Sequence, residues 1–225
     1  YILAGLIVIA FNVDAVPGAF AAIFNSAFSA EAGLGGVIGA IIQGVRRAAF
    51  SNEAGTGSAG IAHAVVRTNH PVSQGIVAMI GPFIDTVVIC LVTALVIVVS
   101  GAYMSGEGME GVELTSMAFE SAIPWFPYVL ALTVFLFAFS TMIAWSYYGL
   151  KCVTFLFGEK KTVETVYKLF FCLVVIAGAS VDLSVVINLS DALFFMMAIP
   201  NVIGLYILAP SIRKDLKEYM QRIEK

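Results

Sequence analysis

Residues 44–60 read GVRRAAFSNEAGTGSAG, and this stretch decides how the rest of the chain is interpreted. It lies within a segment, 35–66, that is long enough to cross a membrane, yet it combines charged, amide and hydroxyl groups with the closely spaced Gly55 and Gly57. Lipid cannot satisfy free backbone groups, so unwound backbone at membrane depth must be buried in protein or line a cavity. We expect either a helix that breaks here and resumes near Ser58, or two continuous helices whose small residues let them pack closely.

The chain around this stretch is strongly apolar. Of its 225 residues, 60% are hydrophobic and 12% are charged, against roughly 45–50% and about 25% in soluble domains. Because one membrane span needs about 20 apolar residues, the length predicts roughly five to seven membrane segments joined by short loops. The composition therefore indicates an all-α, polytopic membrane protein in contact with the lipid bilayer.

Apolar runs predict the individual segments. Full spans are predicted at residues 76–100, 128–150, 167–187 and 192–209. The first should kink near Pro82, and the last should be interrupted at Pro200. Residues 17–28 are too few to cross and are expected to form a re-entrant or interfacial helix. The apolar start at residues 1–11 has no initiator Met and suggests a cut through a helix of a longer protein.

Charged residues predict the orientation of these spans. Lys and Arg outside the glycine-rich segment gather at Arg67 and at residues 151–161 and 213–225, whereas the segment 101–124 carries Glu107, Glu110, Glu113 and Glu120 and no basic residue. Basic residues near span ends favour the cytoplasmic side. The acidic segment is thus predicted to be external and residues 213–225 a cytoplasmic tail, within one transmembrane region that spans residues 1–225.

A second polar constellation lies at residues 137–149, which read FAFSTMIAWSYYG. On a helix, Phe137, Thr141, Trp145 and Tyr148 fall along one face, with Ser140 beside them. That face would be an aromatic wall containing hydroxyl groups. Alternatively, the hydroxyls bond back to their own helix and Trp145 anchors a membrane interface.

Four stretches together resemble one family of transporters. They are FSNEAGTGSA at 50–59, GPFIDTVVIC at 81–90, FAFST at 137–141 with WSYYG at 145–149, and MAIPN at 197–201. The chain resembles the alanine or glycine:cation symporters, also called sodium:alanine symporters. It departs from the family at Ala48 and Gly60, where glycine and proline are common, and neither change removes a polar group.

The resemblance implies a LeuT-like fold of two inverted five-helix repeats. This chain would hold the end of the first repeat and the whole second repeat, and would lack the N-terminal half of the protein. Residues 35–66 would then form the broken first helix of the second repeat, and residues 137–149 would lie on its third helix.

The resemblance also implies a function, which is sodium-coupled symport of a small neutral amino acid, alanine or glycine, across the cell membrane. The fragment alone is expected to be inactive, with sodium as coupling ion and no cofactor or nucleic-acid partner. Substrate-binding residues would be Phe50, Ser51, Asn52, Gly55, Gly57, Thr141 and Trp145. Sodium would be bound by the hydroxyls of Ser140 and Thr141 and the carbonyl of Phe137.

Three other interpretations remain open. Another symporter of the same fold class, of the amino-acid/polyamine or neurotransmitter type, is the nearest alternative. An intramembrane enzyme would need a motif such as HExxH or GxSxG, which the sequence lacks, and Asp85, Asp182 and Asp191 lie far apart. A purely structural membrane subunit would not need Asn52, Glu53 and Thr141 in its spans.

Overall fold

The structure is a computed structural model that describes residues 1–28, 33–105, 109 and 111–223. Glu107 and Glu110 of the predicted external segment, and residues 224–225 of the predicted tail, lie outside the described residues. The elements, in chain order, are α1 (Ile2–Phe11), a 3-10 turn (Val13–Ala15), α2 (Val16–Phe28), α3 (Gly33–Asn52), α4 (Ser58–His63), α5 (Pro71–Ala78), α6 (Ile80–Pro82), a π-helix (Phe83–Ile89), α7 (Cys90–Val99), α8 (Ala102–Ser105), α9 (Val112–Glu120), α10 (Phe126–Phe157), α11 (Lys161–Gly178) and α12 (Leu183–Ile223).

Three helical stretches of the described chain are long and apolar enough to cross a membrane: Pro71–Val99, Phe126–Phe157 and Leu183–Ile223. A fourth is present if α1 and the segment Val13–Phe28, which meet at 82°, form one bent span. This is fewer than the sequence predicted. The first two turns of α11 carry Lys161, Glu164 and Lys168, and the glycines and the Arg46-Arg47 pair make α3 only weakly apolar. The chain is an all-α, multi-pass membrane protein.

The chain forms two compact units. The first comprises Tyr1–Ala48 and Pro82–Phe139. Its core is a cluster of buried apolar side chains, including the fully buried Phe119, to which α1, α7, α8, α9 and the start of α10 contribute. Gly5 lets α1 approach α7 closely, because a Cβ at this position would lie 2.6 Å from Cγ1 of Val92. The segment predicted as an external loop therefore supplies part of this core.

The span Pro71–Val99 changes its helical winding at Pro82, where the sequence predicted a kink. Pro82 has no N–H to donate to the carbonyl of Ala78, and α5 ends at Ala78. A π-helix then runs from Phe83 to Ile89 before regular α-helix resumes at Cys90. The proline therefore changes the winding of the span without ending it.

The second unit comprises Ala49–Gly81 and Ser140–Lys225. Here the predicted span 167–187 is wrong: α11 ends at Gly178, and α12 begins at Leu183. Residues 179–182 form a turn between the two helices, in which the Ser180 N–H donates to the carbonyl of Ala177. The carbonyl of Asp182 then accepts from Val185 and Val186 and opens α12.

The predicted interruption at Pro200 is also wrong. α12 continues through both Pro200 and Pro210 and includes the charged residues after Arg213. A proline removes one hydrogen bond from a helix and crowds the carbonyl four residues earlier, and membrane helices tolerate this when neighbouring groups compensate. Residues 213–223 are therefore a helical extension of the last span.

Candidate functional site

The helix that contains the sequence GVRRAAFSNEAGTGSAG is broken, as one of the two sequence interpretations predicts. α3 ends at Asn52 and α4 begins at Ser58. Between them, Glu53, Gly55 and Gly57 have φ angles of 56°, 81° and 103°. Side chains disfavour this left-handed region, which glycine adopts at little cost. The two closely spaced glycines are thus explained by the backbone of the break.

Local hydrogen bonds hold the break in shape. The Ala54 N–H donates to Oδ1 of Asn52 at 2.9 Å, and the Thr56 hydroxyl donates to the carbonyl of Glu53 at 2.7 Å. The hydroxyls of Thr56 and Ser58, both buried, lie 3.1 Å apart. Asn52, predicted to bind substrate, therefore also stabilises the turn that follows it.

The half-helix after the break is shorter than the sequence suggested. α4 has only 6 residues, and a helix of this length has too few aligned peptide groups for a large dipole. The N-terminus of α4 therefore attracts a carboxylate only weakly. The polar character of the break comes instead from its unwound backbone and its hydroxyl groups.

One face of α12 packs against both sides of the break. Phe194 stacks on Phe50, in the last turn of α3, with ring centroids 4.4 Å apart and an interplanar angle of 17°. Asn201 lies beside Gly57, with its side-chain atoms 3.4–3.5 Å from the position of a Cβ there. Phe194 and Asn201 are seven residues apart and so share one face of the helix. This face therefore contacts the chain at both ends of the break, while Ala54 and Gly55 between them are exposed.

The aromatic face of α10 also contacts Phe194 of α12. α10 is continuous from Phe126 to Phe157, so the predicted alignment of Thr141, Trp145 and Tyr148 holds. The Trp145 ring lies 5.8 Å from those of both Tyr148 and Phe194. Phe50 and Trp145, which come from two separate sequence motifs, therefore contact the same ring.

The remaining predicted site residues are less enclosed. Ser51 is half-buried in the last turn of α3, while Ser140 and Thr141 are exposed on α10. Phe137 belongs to the first unit, where its side chain lines a cavity of about 240 Å³ together with the side chains of Thr93 and Thr133. The assignment of Phe137, Ser140 and Thr141 to a sodium site stays a prediction.

Four residues of this region were not predicted: Thr56, Ser58, Phe194 and Asn201. Thr56 and Ser58 flank Gly57 in the polar motif, so their spacing could have identified them. Phe194 and Asn201 lie far away in sequence within an apolar helix. The sequence signal for Phe194 is its position seven residues, about two helical turns, before Asn201 of the MAIPN motif, which puts both residues on one helix face.

Comparison with known proteins places the chain among transporters. The sodium:alanine symporter family model matches residues 1–225. A sodium/alanine symporter, AgcS, of Methanococcus maripaludis is 42% identical over 97% of this chain and 49% of that protein. A probable sodium/glutamine symporter, GlnT, of Bacillus subtilis is 37% identical over 99% of this chain and 46% of that protein. A putative sodium/proton-dependent alanine carrier, YrbD, of the same organism is 34% identical over 97% of this chain and 49% of that protein. The chain spans about half the length of these curated relatives.

Proposed function

Because the chain belongs to the sodium:alanine symporter family, we propose that it is part of a secondary transporter that couples sodium entry to uptake of a small neutral amino acid, alanine or glycine. The proposal places the protein in the cell membrane with residues 213–225 in the cytoplasm. Transport rather than catalysis is the role that the names of the relatives support.

The observation that carries the proposal is the break between α3 and α4 together with the rings of Phe50, Trp145 and Phe194 beside it. Unwound backbone exposes N–H and carbonyl groups that can bind an amino acid's charged ends or a cation. Next to the break, Phe50 and Trp145 contact a common ring and form an apolar wall. A polar break beside an aromatic wall suits a ligand with charged ends and a small apolar side chain.

In the proposed site, the substrate is bound by Phe50, Ser51, Asn52, Gly55 and Gly57 together with Thr141 and Trp145. The backbone around Gly55 and Gly57 would contact the charged groups, and Trp145 would bound the side-chain pocket. Ser140, Thr141 and the Phe137 carbonyl would bind sodium, a hard cation that prefers oxygen ligands. Ser140 and Thr141 are exposed on α10.

The arrangement we propose is the LeuT-like inverted repeat, with α3 and α4 as the broken first helix of the second repeat and α10 as the third. In such folds the substrate lies at the interface of two repeats, near discontinuous helices. The break between Asn52 and Ser58 supports this assignment because it falls where the repeat requires an unwound segment.

The relatives also define the competing substrates and ions. Their names include alanine and glutamine as substrates, and sodium or sodium/proton as coupling ions. The aromatic rings beside the break favour the smaller side chain, since a glutamine amide would need polar partners in an apolar wall.

Uptake by proteoliposomes containing the full-length protein tests the proposal. We expect saturable uptake of labelled alanine and glycine that requires an inward sodium gradient and ceases when potassium replaces sodium. A parallel arm with an inward proton gradient and no sodium separates the two coupling ions, and labelled glutamine tests the larger substrate. Uptake of glutamine alone, or uptake independent of sodium, would contradict the proposal.

A further inference from the structure

Phe194 is an enclosed aromatic ring on a helix whose side chains are mostly exposed. Among the described residues of α12, only Asp191 and Phe194 are buried, and Phe194 is 3% exposed. The second unit has few other buried side chains in its described helices, so a general apolar core does not account for this burial. Specific neighbours enclose the ring.

Two of those neighbours are residues that the proposed function assigns to the substrate. The Phe50 ring stacks nearly parallel to Phe194, at 4.4 Å between centroids. The Trp145 ring is tilted by 47° against it at 5.8 Å. Both distances lie within or close to the range in which aromatic pairs attract each other. Phe194 is thus the shared contact of an α3 residue and an α10 residue.

The contact made by Phe50 also affects the break. Phe50 precedes Ser51 and Asn52, which end α3. On the other side of the break, Asn201 of the same α12 face lies against Gly57. A shift of Phe194 would therefore move the rings of Phe50 and Trp145, whereas Asn201 would keep Gly57, at the other end of the break, in place.

We propose that Phe194 is a positioning residue that sets the size limit for the transported amino acid by holding Phe50 and Trp145 in place. The inference rests on the proposed function, in which these two rings bound the pocket for the substrate side chain. Protein interiors relax only partly around a lost ring, so removing it leaves space into which Phe50 and Trp145 can move. The pocket then widens for bulkier side chains, while the groups assigned to sodium are unchanged.

The test measures substrate size preference in proteoliposomes that contain the full-length protein. Uptake of labelled alanine is inhibited with unlabelled alanine, valine and leucine, and the sodium concentration for half-maximal uptake is measured in parallel. Phe194→Leu removes the ring, and Phe194→Tyr keeps it. Phe155→Leu is the control, because it makes the same change at a ring that is 89% exposed.

For Phe194→Leu we expect the ratio of the leucine to the alanine inhibition constant to fall by about tenfold, the scale on which a pocket discriminates by size. Its sodium dependence should match the wild type. Phe194→Tyr and Phe155→Leu should both keep the wild-type size preference. A wild-type size preference in Phe194→Tyr would mean that Phe194→Leu acts through the lost ring and not through a general loss of stability.

Phe194→Met is a second ring-free variant for the case in which Phe194→Leu fails to reach the membrane. An unchanged size preference in the ring-free variants, at wild-type membrane levels, overturns the inference and leaves the proposed function intact. Loss of all uptake in both ring-free variants at those levels also overturns it. A wild-type protein without sodium-driven uptake would instead refute the proposed function, and the inference with it.

Discussion

The two glycines of the break are required for different reasons, although they are only two residues apart. Gly55, with φ of 81°, has no other atom within 4 Å of the place that a Cβ would occupy, so only its backbone angle requires glycine. Gly57, with φ of 103°, also lies against the side chain of Asn201. A side chain at residue 55 is therefore strained, and a large one at residue 57 is both strained and obstructed.

Substituting these glycines tests that difference. Gly55→Ala and Gly57→Ala should each destabilise the full-length protein by about 1–2 kcal/mol, the usual cost of a left-handed L-residue. Leu at either position should abolish transport, with the larger loss of thermal stability at residue 57. Thermal unfolding in detergent and alanine uptake measure the two effects.

Gly60→Ala is the control for both substitutions. Gly60 lies within α4, has open space around it, and does not have a positive φ. Alanine there should be neutral or stabilising by up to about 1 kcal/mol. Equal effects at residues 55, 57 and 60 would mean that the break does not depend on the left-handed backbone.

The hydroxyls of Ser140 and Thr141 provide the residue-scale test of sodium coupling. Ser140→Ala or Thr141→Ala should raise the sodium concentration for half-maximal uptake by about three- to tenfold, since each removes one oxygen ligand. Thr133→Ala on the same helix is the control, because it removes a threonine hydroxyl at a position that is not assigned to the ion site. Unchanged sodium dependence in both test variants, at normal membrane levels, would remove this face of α10 from the ion site.

At the scale of helices, small residues determine where two elements can meet. Gly149 on α10 faces Tyr167 on α11, and a Cβ at residue 149 would collide with the Tyr167 hydroxyl. Gly5 plays the same part between α1 and α7 in the first unit. Such contacts agree with the general use of small residues at helix interfaces in membranes.

Gly149→Ala tests the α10–α11 contact. The added methyl must displace the Tyr167 ring, and overpacking of this kind costs about 1–3 kcal/mol. Thermal unfolding of the full-length protein in detergent should show a lower midpoint for Gly149→Ala. Gly204→Ala within α12, where no atom lies within 4 Å of the added position, should leave the midpoint unchanged or raise it. A midpoint for Gly149→Ala equal to that of Gly204→Ala would argue against the contact.

The sequence predicted elements best where the signal is local. The polar residues and glycines between Phe50 and Ser58 indicated the break because the unusual backbone and the unusual composition coincide there. The end of α11 at Gly178 was missed because the apolar residues on both sides of Ser180 and Asp182 were interpreted as one span. Phe194 was missed for a different reason: its partners are distant in sequence, and a phenylalanine in an apolar helix carries no pattern of its own.

For the whole molecule, the decisive fact is that the chain spans about half the length of its curated relatives. Many large apolar side chains are exposed in it, including Phe155 at 89% and Tyr128 at 83%. Exposed apolar surface on this scale needs lipid or further protein to cover it. A site formed at the interface of two repeats would have only part of its ligands in this chain.

The resulting prediction is that residues 1–225 reconstituted alone do not transport. Proteoliposomes containing only this chain should show no saturable, sodium-driven alanine uptake, while the full-length protein prepared in the same lipid provides the positive control. Insertion of both proteins is checked by their recovery with the vesicles. Saturable uptake by the chain alone would mean that the described units contain a complete site.

The two prolines within α12 have a consequence for vibrational spectroscopy. An α-helical carbonyl accepts from the N–H four residues later, so the carbonyls of Met196 and Tyr206 receive no such bond from Pro200 and Pro210. A carbonyl with a weaker hydrogen bond absorbs infrared light at higher frequency. Carbon-13 labels placed at these two carbonyls would thus give amide I bands displaced from that of a labelled carbonyl elsewhere in the helix, and the displacement would report how lipid, water or neighbouring helices replace the missing bonds.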